Sequence, residues 1–260
     1  MFMPVDIARM ADLLMLVAII LAAFLPSLLL MMWVKNTETR NKEPTGRALM
    51  AFVRGATLSV FIAVLIEWFF VYVVMDMDIL NMSALFGKYP ELGTLVLACV
   101  IAPFAEELTK ALGILPYARR ARELEDGIIY GAAVGLGFAA TENLLYEGSA
   151  YLSGGISMLI GTIIVRTVSS ALLHASASSL TGYGLAAKRL SGASWLPYYL
   201  MAVVLHSVFN LSASLGPLLE STSFGDAGYL IGLIVAVAIG IGAFTWTRRK
   251  IRSLERGSAG

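Results

Sequence analysis

Long apolar runs alternate along this chain with short polar segments rich in lysine and arginine. The apolar runs are Leu13–Val34, Ala48–Val74, Leu92–Tyr117, Gly127–Tyr146, Gly155–Ala187, Leu196–Leu215 and Ala227–Trp246. About 20 such residues cross a bilayer as a helix, so the pattern predicts an all-α, polytopic transmembrane helical bundle of seven spans. The fifth run is longer than one crossing needs and is expected to tilt, kink or emerge. The first is too long for a signal-peptide core and reads as a retained span. No segment between spans is long enough for a soluble domain. Residues 1–260 therefore read as a single integral membrane domain, multi-pass in the cell membrane.

Composition agrees, with 58% hydrophobic and only 14% charged residues, where ordinary soluble domains carry about 25% charged. The net charge of +1 says nothing about nucleic acid, but no basic cluster is interleaved with aromatics, and no nucleic-acid partner is expected. The one cysteine, Cys99, cannot form an intramolecular disulfide or a thiolate metal site. Fourteen basic residues fall in the segments after spans one, three, five and seven, against Arg9 and Lys88 in the alternate segments. This asymmetry predicts an outside N-terminus and a cytoplasmic C-terminus.

Against that background the ionisable residues inside spans stand out, since each charge at mid-span costs roughly 2.5–3.5 kcal/mol of insertion. Span three holds Glu106, Glu107 and Lys110. Glu106 and Lys110 are four apart and can pair on one helix face, whereas Glu107 lies about 100° round the helix with no such local partner. In span four Gly131, Gly135, Phe138 and Glu142 share a stripe, and its glycines permit close helix approach. Span five carries Thr167, Ser170, His174, Ser178 and Thr181 on one face, with Arg166 about 80° off it and suited to a structural ion pair or an interfacial contact. Span six places Asn210 one turn beyond His206. At ~1.5 Å per residue, Glu106 lies roughly 16 Å above Tyr117, His206 about 15 Å above Leu196, His174 about 20 Å above Ala187 and Glu142 roughly 24 Å above Asp126. Four costly groups from four helices are compatible with one layer, and so with one site.

These residues resemble the motifs of PrsW-type intramembrane proteases. Glu106-Glu107-Leu108-Thr109-Lys110 is similar to the first motif, and Phe138 to Asn143, preceded by Asp126 to Gly131, to the second. His174 with its hydroxyl-rich run resembles the third, and His206 to Asn210 the last. The motif-bearing core covers about residues 92–215. The resemblance extends to the CAAX-processing and bacteriocin-processing membrane proteases, whose core is a helical bundle with a glutamate and histidines facing a cavity. Those enzymes have E-E-x-x-x-R, and histidine at the place of Glu142; both departures point to the PrsW branch.

The resemblance implies an intramembrane endopeptidase acting on a transmembrane protein or peptide, such as an anti-sigma factor, in the lipid bilayer. In that reading Glu106 is the general base, Glu107 a second base or orienting group, and Asn210 an oxyanion donor. Glu142, His174 and His206 form a two-histidine, one-carboxylate metal set, a composition found in catalytic zinc sites, and zinc is the metal expected. A metal-free version, with Glu106 and a histidine activating water, fits the same residues. So does a proton- or cation-coupled transporter lined by the Glu/His cluster, although no inverted repeat supports it.

Overall fold

A computed structural model describes residues 7–78, 82–220 and 222–257. Among these residues the secondary structure is entirely helical. The helices are α1 (Ile7–Lys35), α2 (Thr45–Val74), the short α3 (Ser83–Lys88), α4 (Pro90–Ala118), α5 (Leu124–Val168), α6 (Ser170–Ser191), α7 (Leu196–Ala213), the short α8 (Leu215–Leu219) and α9 (Gly225–Gly257). Six stretches are long and apolar enough to cross a membrane, and the longest, Leu124–Ser191, joins the fourth and fifth expected spans.

That stretch is folded back on itself. Gly155 has φ 66° and ψ −154°, a conformation closed to residues with a side chain, and it ends the first leg of α5. The returning leg breaks again at Ser169 (φ −122°, ψ −76°), inside the long fifth run, before α6 continues in the same direction. Opposed pairs keep an antiparallel register from end to end: Gly127 with Gly182, Gly131 with Ser178, Gly135 with His174, and Asn143 with Arg166. The glycine stripe makes this possible. A Cβ on Gly135 would lie 2.2 Å from the His174 carbonyl oxygen, and one on Gly131 2.3 Å from that of Ser178. The expectation of close helix approach at these glycines holds, and it sets how near α6 carries His174 to α5.

α4 is interrupted by a wide turn. Between Leu97 and Ile101 the backbone takes an i→i+5 register, and the Ala102 N–H donates to Leu97 O. In that register the Ala98 carbonyl would take its hydrogen from residue 103, which is proline and has none. Asn210 of α7 supplies it instead, Nδ2 donating to Ala98 O at 2.7 Å.

The basic ends of the helices are capped by polar side chains. Asp126 Oδ2 accepts from the Arg122 N–H at 2.7 Å and the Glu123 N–H at 3.2 Å, closing a capping box at the start of α5. Tyr130 donates to Glu43 from one turn further on. The Asp126 and Tyr130 of the second motif are thus structural. α9 runs well past the apolar segment, and Glu255 in its last turns accepts from the Thr39 N–H at 2.5 Å and the Arg40 N–H at 2.9 Å. The basic C-terminal segment, expected as a tail, is therefore a helix docked on the α1–α2 loop.

Candidate active site

α4 delivers three ionisable side chains to the interior from a single turn. Lys110, fully buried, donates to Glu106 Oε2 and to Glu107 Oε1, both at 2.9 Å. Its third hydrogen points at His174 Nδ1, 2.7 Å away, and its ammonium stands 4.0 Å from the Phe138 ring centroid. Glu107 consequently does have a local partner, contrary to the expectation from helix angles alone. A lysine stem is long enough to reach both its i−3 and i−4 neighbours.

The two histidines arrive from α6 and α7 with their rings edge to face, centroids 4.9 Å apart. Each has a carboxylate behind it. His174 Nε2 lies 2.9 Å from Glu142 Oε2, and His206 Nδ1 lies 3.0 Å from Glu107 Oε1. An ammonium can only donate, so His174 Nδ1 is an acceptor and its hydrogen sits on Nε2, given to Glu142. By the same logic His206 gives its Nδ1 hydrogen to Glu107. Of the two other ring nitrogens only His206 Nε2 keeps a free lone pair, 4.0 Å from Glu106 Oε2; His174 Nδ1, 3.9 Å from the same oxygen, is occupied by the Lys110 hydrogen.

Glu106, His174 and His206 offer ligand atoms that all lie within 4.8 Å of one another, and all three are buried. A tetrahedral metal with bonds near 2.1 Å has donors roughly 3.4 Å apart. The two sides that meet at Glu106 Oε2, 3.9 and 4.0 Å, exceed that by about half an ångström, and a metal there would take the place of the Lys110 ammonium at His174 Nδ1. The chemistry of the set also fits, since a carboxylate on the far nitrogen of a ligating histidine fixes its tautomer and raises its basicity. Glu142, the carboxylate of the ligand set read from the sequence, is not in this group of three. Glu142 stands behind His174 rather than beside it, because Arg166 Nη2 holds its Oε2 at 2.8 Å. The ion-pair role expected for Arg166 is seen, and the same guanidinium donates to Asn143 Oδ1 at 2.7 Å and Ser170 Oγ at 3.0 Å across the break at Ser169.

Glu106, Glu107, Glu142, His174 and His206 thus come together as one network. Asn210 does not join it: its amide is spent on Ala98 O, and no hydrogen bond links it to these five among the described residues. Glu67, on α2, was missed. It lies within electrostatic reach of Glu106, Lys110 and Glu142, and the signal was available, as a lone carboxylate inside Ala48–Val74.

Comparison with known proteins agrees with this arrangement. The family described as "PrsW family intramembrane metalloprotease" matches residues 43–245. A relative named Protease PrsW, from Clostridioides difficile, is 31% identical over 199 residues, which is 73% of this chain and 76% of the relative. No solved structure matches the chain. A transporter role finds no support among these relatives. With the family match extending over most of its length, the chain belongs to the PrsW family of intramembrane metalloproteases.

Proposed function

We propose that this protein cleaves transmembrane protein substrates at the layer defined by Glu106, His174 and His206, and that these three residues hold its metal ion. The observation that carries the reading is the grouping of Glu106 Oε2 with His174 Nδ1 and His206 Nε2, at 3.9 and 4.0 Å, around a position that the Lys110 ammonium borders and would yield to an ion. Zinc suits two nitrogens and one carboxylate oxygen. When bound, such an ion polarises the scissile carbonyl and activates water.

The chain's own residues supply the rest. Glu107 and Glu142 hold the imidazoles in the tautomers that leave His174 Nδ1 and His206 Nε2 as acceptors. Lys110 balances the adjacent charges of Glu106 and Glu107, and Arg166 balances Glu142. Glu106 keeps 9% of its side chain accessible, and no hydrogen bond among the described residues engages its Oε1. That oxygen is the acceptor for the proton of the attacking water, which it returns to the leaving amine. Asn210 acts as a helix tie in this scheme, not as an oxyanion donor.

Seven crossings with the basic ends in the cytoplasm complete the proposal, the fold-back at Gly155 supplying two of them. The motif core near residues 92–215 and the shared descent with CAAX-processing proteases belong to the same reading, as do the cell membrane as location and an anti-sigma factor as one substrate of the right kind. The test is co-reconstitution with tagged single-span membrane proteins. The parent chain should cleave one or more of them, and Glu106→Gln should lower that cleavage by about 10²–10⁴-fold while remaining inserted. Unchanged cleavage by Glu106→Gln would remove Glu106 from the chemistry.

A further inference from the structure

At the basic end of α4 and α6 lies a groove of about 530 Å³ that the proteolytic site does not use. Its walls are apolar, formed by Leu108, Leu112 and Leu115 of α4 and Leu185 of α6. Its mouth is cationic, formed by Arg119, Lys188 and Arg189, with Trp195 beside them. Arg189 Nε donates to the backbone carbonyl of Arg119 at 3.3 Å, which ties the end of α6 to the end of α4 at the mouth. Among the described residues no carboxylate forms an ion pair with any of the three cations, whereas Arg47 and Arg166 each have one and Lys110 has two. Three convergent, unneutralised cations ask for an anion.

The length of the groove says what carries that anion. From Leu108 to Arg119 is eleven residues, or about 16 Å along the helix. One leaflet of a bilayer has an apolar depth of about 15 Å. A single hydrocarbon chain fits. Tryptophan at the mouth marks the headgroup level.

We propose that this groove binds an anionic glycerophospholipid, one acyl chain lying along the α4 leucines and the phosphate held by Arg119, Lys188 and Arg189. Zwitterionic lipids carry their own cation to the mouth and are disfavoured. Each basic residue close to an anionic headgroup is worth about fivefold in affinity. Because α4 also bears Glu106 and Glu107, a chain seated along Leu108 and Leu112 steadies the helix that carries the site.

Native mass spectrometry of the full chain in a neutral maltoside detergent tests this, with phosphatidylglycerol and phosphatidylcholine of identical acyl chains as probes. The parent should retain phosphatidylglycerol at least tenfold more strongly than phosphatidylcholine. The R119Q/K188Q/R189Q variant should abolish that preference, and Leu112→Trp, which fills the groove and leaves the cations, should weaken retention of both lipids. Millimolar inorganic phosphate should not displace the lipid. Equal retention of the two lipids by the parent overturns the proposal, as does an unchanged preference in the triple variant. Displacement by phosphate alone, or by an acidic single-span peptide, overturns it in favour of a bare anion site or a substrate-docking site. None of these readouts depends on proteolysis.

Discussion

Removing the Asn210 amide should expose a defect that Pro103 creates. The Ala98 carbonyl receives no backbone hydrogen, because Ala102 donates to Leu97 and residue 103 is proline. Asn210→Ala leaves that carbonyl without a partner in a partly buried setting, at a cost of about 1–3 kcal/mol. It also unties α4 from α7 one turn from His206, so the 3.0 Å contact between His206 and Glu107 should loosen and cleavage should fall. Pro103→Ala restores an N–H at the position five residues beyond Ala98, where the wide turn can use it. In that background the cost of Asn210→Ala should drop below about 1 kcal/mol, giving a favourable coupling of about 1–2 kcal/mol. Unfolding of all four proteins in mixed micelles, with cleavage measured in parallel, reads both quantities. Additive costs, agreeing within about 0.5 kcal/mol, would refute the proline explanation. Loss of cleavage by Asn210→Ala with an unchanged unfolding midpoint and no rescue would make Asn210 an oxyanion donor after all.

Other consequences follow from the same geometry. Gly135→Ala places a Cβ 2.2 Å from the His174 carbonyl oxygen, so α6 must retreat by about 1 Å to reach ordinary contact, and a displacement of that size costs on the order of 10²-fold in cleavage; parental activity in this variant would show that His174 need not be held in place. Lys110→Met leaves Glu106 and Glu107 buried side by side with no shared cation and should destabilise the fold by about 3–5 kcal/mol, read as a lowered unfolding midpoint. In the α1–α2 loop, burial pushes the Glu38 carboxyl up to about 7, with the charges of Asp126, Glu43 and Glu125 adding to it. The folded state then holds a proton that the unfolded chain releases above about 4.5, so stability is fullest below pH 4.5 and falls as pH rises toward 7. The loss is at most about 3 kcal/mol, and Glu38→Gln should flatten that slope in a pH series of unfolding curves.

Much of this could be read from residue order because membrane insertion punishes misplaced polarity. Helical class, the approximate ends of the spans and the layer shared by Glu106, Glu142, His174 and His206 all followed from that penalty. So did the close approach at Gly131 and Gly135. What escaped depends on side-chain reach and on backbone register, which spacing does not encode. Lys110 bridges two carboxylates because its stem is flexible. Glu142 is drawn behind His174 because Arg166 returns to it through the break at Gly155, a fold-back that no local pattern specifies. Asn210 reads as an oxyanion donor in the H-x-x-x-N motif, and nothing in that spacing announces its hydrogen bond to the Ala98 carbonyl at the wide turn before Pro103. Glu67 was overlooked because a single carboxylate in a long apolar run has no partner in sequence to draw notice.

The central claim is that Glu106, His174 and His206 hold a metal, which replaces the Lys110 hydrogen at His174 Nδ1. Elemental analysis of the purified, folded chain tests it most directly. One divalent transition ion per chain is predicted in the parent, with loss of the ion in His174→Ala and His206→Ala, marked loss in Glu106→Gln, and substantial retention in Glu142→Gln. A metal retained by Glu106→Gln and released by Glu142→Gln, or full cleavage by a chain that carries no stoichiometric metal, would contradict the account.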